Sequence, residues 1–192
     1  MLIEECGTLL RVELSVSAIV PPKGSPLGEL AATVKGMVQA YADDGAVFAK
    51  KGDPINALAS YYYGFGWLHF GMAYGLLVHA WEQPACPFTA PTETIPAPLA
   101  GRLSEKTSRY LRLLETAASS VARAPDKETA AGAFADRVLC AGTCYARHGK
   151  TLLARGEREE ALASFSYGHG WIDAGVRAGL FIVTANREIF TI

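Results

Sequence analysis

Cys140, Cys144 and His148 stand at i, i+4 and i+8 of one segment, within an arc of about 80° if that segment is helical. Two thiolates and an imidazole are soft-metal donors. A chain that turns back at Arg155-Gly156 brings His169 roughly level with Cys140 and Cys144, so that Cys140, Cys144 and His169 begin a zinc site. The competing reading is plain packing, because buried cysteine commonly behaves as a small hydrophobe. Packing is preferred, and no cofactor is expected.

A second constellation combines aromatic rings with ionisable groups: Tyr63, Trp67 and His69 in one stretch, Tyr167, His169, Trp171 and Asp173 in another. If the two stretches meet, they line a pocket in which Asp173 or a histidine acts as a general base or orients a polar ligand. Interleaved with them are Gly64, Gly66, Gly71 and Gly75, then Gly168, Gly170, Gly175 and Gly179. Inside helices each glycine costs about 0.5–1 kcal/mol relative to alanine. Gly64, Gly71, Gly75, Gly168, Gly175 and Gly179 are read as the places where another helix comes close. Gly64 and Gly66 are alternatively the mark of a local helix distortion. No HExxH, P-loop or GxSxG occurs, and the histidines lack a serine or cysteine partner by spacing, so no catalytic residue is assigned.

The elements that must carry these residues come from a repeat. Shifting the numbering by 104 lays Tyr41–Val78 over Tyr145–Ile182 without a gap, and 15 of the 38 aligned residues are identical. Random pairing gives roughly two or three at ordinary residue frequencies, so the chain contains one unit twice. In the second copy Ser104 is a good N-cap for a helix ending before Pro125. A second helix opens at Asp126 with a seam of Phe134, Val138, Ala141, Tyr145, His148 and Leu152, and a third runs from Glu157 to about Val183. The first copy follows suit with Leu27–Lys51 and Ile55 to about Trp81. Its opening stretch is ambiguous: Val12, Leu14, Val16 and Ala18 alternate like a strand, whereas the repeat register makes residues 2–20 a helix. Between the copies, residues 82–100 hold five of the ten prolines and read as a tether. The expected architecture is all-α, with two tandem three-helix bundle units over 1–81 and 101–192, related by a pseudo-two-fold axis as a six-helix protein.

That axis makes the differences between copies informative. Asp44 stands where copy two has His148, and His69 where copy two has Asp173. Positions near a two-fold axis meet their own equivalents, so Asp44–His148 and His69–Asp173 are expected as complementary pairs.

The run RGEREEALAS followed by YGxGWxDAGxxxG (Gly156, Ala161–Ser164, Tyr167, Gly168, Gly170, Trp171, Asp173, Ala174, Gly175 and Gly179) resembles an archaeal family known only as domain of unknown function 357. The resemblance is good over about 104–183 and weaker over 27–80, where His69 and Phe70 replace the Asp-Ala pair. It implies three-helix bundles and an archaeal source, and no reaction.

Composition bounds the rest. Half of the 192 residues are hydrophobic, 19% are charged and the net charge is −1, which offers no electrostatic case for nucleic acid. Tyr61-Tyr62-Tyr63 lacks basic interleaving and reads as core. Pro54–Trp81 carries no Asp, Glu, Lys or Arg and is long enough to span a bilayer. Its counterpart carries Asp173 and Arg177, so burial within the protein is expected and no membrane partner. Four cysteines without a paired framework and an acidic N-terminus point to a cytoplasmic protein. Two functions follow as expectations. The first is a non-enzymatic scaffold or protein-interaction module that self-associates through its glycine-rich aromatic helices. The alternative is a small-molecule-binding or catalytic bundle with its pocket between the halves.

Overall fold

The computed structural model describes residues 1–79 and 90–191. Its helices are α1 (Ile3–Val16), α2 (Pro26–Lys50), α3 (Pro54–Ala73), α4 (Ala100–Ser119), α5 (Ala130–Ala154) and α6 (Arg158–Arg177). Four three-residue strands form two antiparallel ribbons: β1 (Ser17–Ile19) with β2 (Leu77–His79), and β3 (Val121–Arg123) with β4 (Phe181–Val183). The shift of 104 carries α2, α3, β1 and β2 onto α5, α6, β3 and β4 residue for residue. The protein is therefore all-α apart from the two ribbons, with six long helices arranged as a duplicated unit.

Local chemistry sets the helix ends in the same way in both copies. Ser25 and Thr129, equivalent positions, each accept the amide N–H three residues on, from Gly28 and Gly132 at 3.0 Å. The start of α3 differs: Asp53 caps it by accepting from the Asn56 N–H at 3.2 Å, whereas the equivalent Glu157 makes no side-chain cap for α6. At the other end Gly75 and Gly179 adopt φ of 77° and 73°, and the N–H groups of Leu76 and Leu180 reach back to the carbonyls of Gly71 and Gly175. This is the glycine-terminated Schellman turn. It corrects the expected third helices: they stop at Ala73 and Arg177 rather than near Trp81 and Val183, and the chain turns into a strand. Gly75 and Gly179 are helix terminators, open around their Cα atoms, and do not line a helix–helix contact. Residues 80–89, with Trp81, Cys86 and half of the expected tether, lie outside the described residues.

Both readings of the opening stretch hold in part. Helix α1 runs through Val16, and Ala18 then enters β1 opposite Val78. The seam of α5 rotates from its expected place: the buried positions are Gly132, Ala135, Val138, Gly142, Gly149 and Leu152, while His148 is exposed. Val138 and Leu152 keep their expected places, and Gly142 and Gly149 join them, seating Ile172 and Phe165 of α6.

Helices α3 and α6 form the centre. In each, a run of more than ten residues is buried with little interruption, since α1 and α2 cover one side of α3, α4 and α5 one side of α6, and the two pack on each other. A helix surrounded by protein accounts for the uncharged stretch. Among the described residues no helix is long and apolar enough to cross a membrane.

Candidate functional site

The two central helices cross at Gly66 and Gly170, which are equivalent by the repeat. A Cβ on Gly66 would lie 2.5 Å from the Tyr167 carbonyl oxygen, and one on Gly170 2.5 Å from that of Tyr63. Backbone rests on backbone here, on the pseudo-two-fold axis. Gly64 and Gly168 instead face Leu10 and Tyr41, and Leu114 and Tyr145, within their own units; Gly71 faces Val34 and Leu77, and Gly175 faces Val138 and Phe181. Gly66 and Gly170 were outside the expected packing set, although their identity between copies at one repeated position was a signal that the position meets itself.

Close approach at the axis brings the expected aromatic and ionisable residues together. Tyr63 donates its hydroxyl to Asp173 Oδ2 at 2.6 Å across the interface. The equivalent Tyr167 shares a hydrogen bond of 2.9 Å with His69 Nδ1, again across the interface. The expected pair His69–Asp173 therefore does not form; each binds the tyrosine of the opposite copy. Asp44 and His148, the other expected pair, are both exposed, and no ion pair joins them among the described residues.

Each half of this polar core is completed by a residue outside the recognised constellation. Asp173, fully buried, also accepts the Thr191 N–H on Oδ1 at 2.9 Å and the Thr191 hydroxyl on Oδ2. The C-terminal segment thus folds over α6 and buries Phe190 beside it. On the other side Glu13, only 4% exposed, places Oε2 3.4 Å from His69 Nε2, making a carboxylate–imidazole–phenol series from α1 through α3 to α6. Glu13 had a faint signal, an acid between Leu10 and Leu14 where the second copy has Ala117. Thr191 had none, since it lies beyond the aligned repeat.

Burial dominates the electrostatics. Tyr63 is pushed well above the tyrosine range by desolvation and then by the charge on Asp173. Tyr167 is raised by burial and then by Tyr145. His169 is lowered below its ordinary value of 6.5 because burial disfavours the cation, an effect only partly opposed by Asp173 and by its hydrogen bond with the Ile189 backbone. Its ring stands edge-on to Tyr63 at 5.2 Å, and its Nε2 is buried without a hydrogen-bond partner. Trp67 is fully buried with Nε1 likewise unpartnered, and Trp171 packs edge-on against Phe70 at 6.0 Å.

Both readings of Cys140 and Cys144, metal ligands and buried packing residues, fail on geometry. Cys140 and Cys144 lie 3.8 Å apart on the exposed face of α5, whereas His169 points into the core. The rotation of the α5 seam separates them. Among the described residues no group of three or more His, Cys, Asp or Glu side chains is placed to hold a metal ion.

No curated protein and no solved structure matches this chain. A family described as protein of unknown function (DUF357) matches it twice, over residues 8–77 and again over 109–181. Those two matches coincide with the two copies defined by the shift of 104 and by the helices that repeat it, and the chain accordingly belongs to the DUF357 family, as a tandem duplicate.

Proposed function

We propose that the protein is a non-enzymatic helical interaction module in which a dimer-like association has been internalised. The observation that carries this reading is the state of Asp173. Its two oxygens accept hydrogen bonds from Tyr63 and twice from Thr191, so the carboxylate best suited to act as a base is spent on holding α6 to α3 and to the C-terminal segment. Gly66 and Gly170 meet inside one chain, and the other glycines read as self-association faces seat neighbours within their own unit or end helices, which leaves the outer faces of α1, α2, α4 and α5 for partners.

One observation favours the second reading, a ligand pocket between the halves. Trp67 Nε1 and His169 Nε2 are buried polar atoms without partners, and such atoms usually have one. The two readings separate on Tyr63→Phe and Asp173→Asn. Under the first, each variant loses about 1.5–3 kcal/mol of stability, the scale of a hydrogen bond to a charged group. No metal or metabolite then raises the melting temperature in a way that depends on these residues. A metabolite that stabilises the parent protein and loses its effect in both variants would establish the pocket instead.

A further inference from the structure

Helix α4 carries Arg102, Glu105, Lys106 and Arg109 at i, i+3, i+4 and i+7, one face of a helix. With Ile55 and Asn56 from the first turn of α3 they line a depression of about 140 Å³. At about 30 Å³ per water that is room for four or five waters, which suits a tetrahedral oxyanion and not a whole nucleotide. Arg102 is already engaged, donating to Asp53 at 2.9 Å. Lys106 and Arg109 have no ion-pair partner among the described residues. The Lys106 ammonium lies 5.1 Å from the centre of the Tyr110 ring. Burial and then the neighbouring Arg109 hold its pKa below the ordinary lysine value, against the opposing charges of Asp53 and Glu105. The first turn of a 20-residue helix adds the Ile55 N–H and the positive end of its dipole; Pro54 has no N–H, and that of Asn56 is held by Asp53.

The repeat supplies an internal control. At the positions equivalent to Lys106 and Glu105 the first copy has Leu2 and Met1, and at that of Arg109 it has Glu5, whose carboxylate caps the Leu2 N–H at 2.7 Å. The fold therefore does not require cations here; they belong to the second copy alone.

We propose that Arg102, Lys106 and Arg109, backed by the first turn of α3, bind a phosphate-class dianion, free or as the terminal group of a small phosphomonoester. This stands apart from the interaction-module reading, because the site is about the α3–α4 corner and not the α3–α6 axis. The test titrates the full chain with sodium phosphate at constant ionic strength, following backbone amide shifts, with sodium chloride as the matched control. Saturable shifts at Ile55, Asn56 and residues 102–109 are expected. Lys106→Ala and Arg109→Ala each weaken binding roughly tenfold, the scale of one charge-assisted hydrogen bond. Lys106→Arg retains binding, and Glu105→Gln tightens it by removing a repulsive carboxylate. Tyr63→Phe leaves it unchanged. Methyl phosphate binding tighter than inorganic phosphate assigns a phosphorylated metabolite, and equal affinity assigns the free anion. Shifts that chloride reproduces, or that survive both alanine variants, overturn the proposal.

Discussion

At the scale of single residues, the duplication has been used to build an antisymmetric polar core. A homodimer must place the same pair of groups on both sides of its axis, so Tyr–Asp would face Tyr–Asp. Fusion freed the copies, and Tyr63–Asp173 now stands opposite Tyr167–His69–Glu13. His169 shows the consequence for pH. The folded protein holds its ring neutral because burial lowers its affinity for a proton, whereas the unfolded chain binds a proton below about 6.5. Stability attached to His169 is thus fully present above that pH. It falls as the pH drops from about 6.5 toward the lower folded-state value, because the unfolded state then holds more protons. The first copy supplies the control substitution, since Phe65 occupies the equivalent position. In His169→Phe, the midpoint of urea unfolding should change less between pH 7 and pH 5 than in the parent protein. An identical pH dependence would mean that other groups carry it. Residue identities at the core were readable in advance; pairings were not, because they depend on which face of each helix turns toward the axis.

At the scale of the element, the glycines of α3 and α6 do three different jobs that look alike in sequence. Gly75 and Gly179 end helices through positive φ, Gly64 and Gly168 seat neighbours within a unit, and Gly66 and Gly170 let the central helices touch. Substituting Gly66 by alanine gains up to about 1 kcal/mol in helix propensity. The new Cβ, however, meets a carbonyl oxygen at 2.5 Å that cannot rotate away, and overpacking of this kind costs about 1–3 kcal/mol or more. The backbone clash outweighs the propensity gain, and Gly66→Ala should lower stability by about 2 kcal/mol. Gly36→Ala, mid-helix in α2 with open space around it, should raise it by about 0.5–1 kcal/mol. Chemical denaturation of both variants checks the pair; equal effects would place the crossing point elsewhere. The repeat register was legible because duplication leaves a mark on the sequence, but the helix starts of the second copy were less so: Ser104, read as an N-cap, lies inside α4, which begins at Ala100, and α5 opens at Thr129 and not at Asp126. The overlong third helices were not corrected from sequence because Gly75 and Gly179 sit in the same four-residue rhythm as the packing glycines, and only backbone torsion tells them apart.

At the scale of the whole molecule, the covalent link between copies is secondary to the surface they share. The central helices bury aromatic rings from both copies against each other, including Phe70 of α3 against Trp171 of α6 and against Phe134 of α5 at 5.8 Å. One further tie spans the units, Arg102 with Asp53, while the tether is bound to each of them: Glu93 accepts the Ile3 N–H, and the Ile95 N–H donates to Glu159. The exposed bonds contribute little by themselves, so cohesion has to come from buried apolar area and from the close approach at Gly66 and Gly170. A linker of the length between the copies raises the effective concentration of one half near the other to the millimolar range, and its described part adds only a few contacts, chiefly at Thr92, Glu93 and the buried Ile95. Co-expressing residues 1–79 and 90–192 as separate chains should therefore yield one particle with a single copy of each, whose mass in solution matches the intact monomer. Gly66→Ala in the first fragment should break that particle apart before it impairs the intact chain, since the uncoupled fragments lose the help of the link. Fragments that elute separately, each folded, would show that the two copies are neighbours held only by their tether, and the dimer-like core would lose its role as the organising contact of the fold.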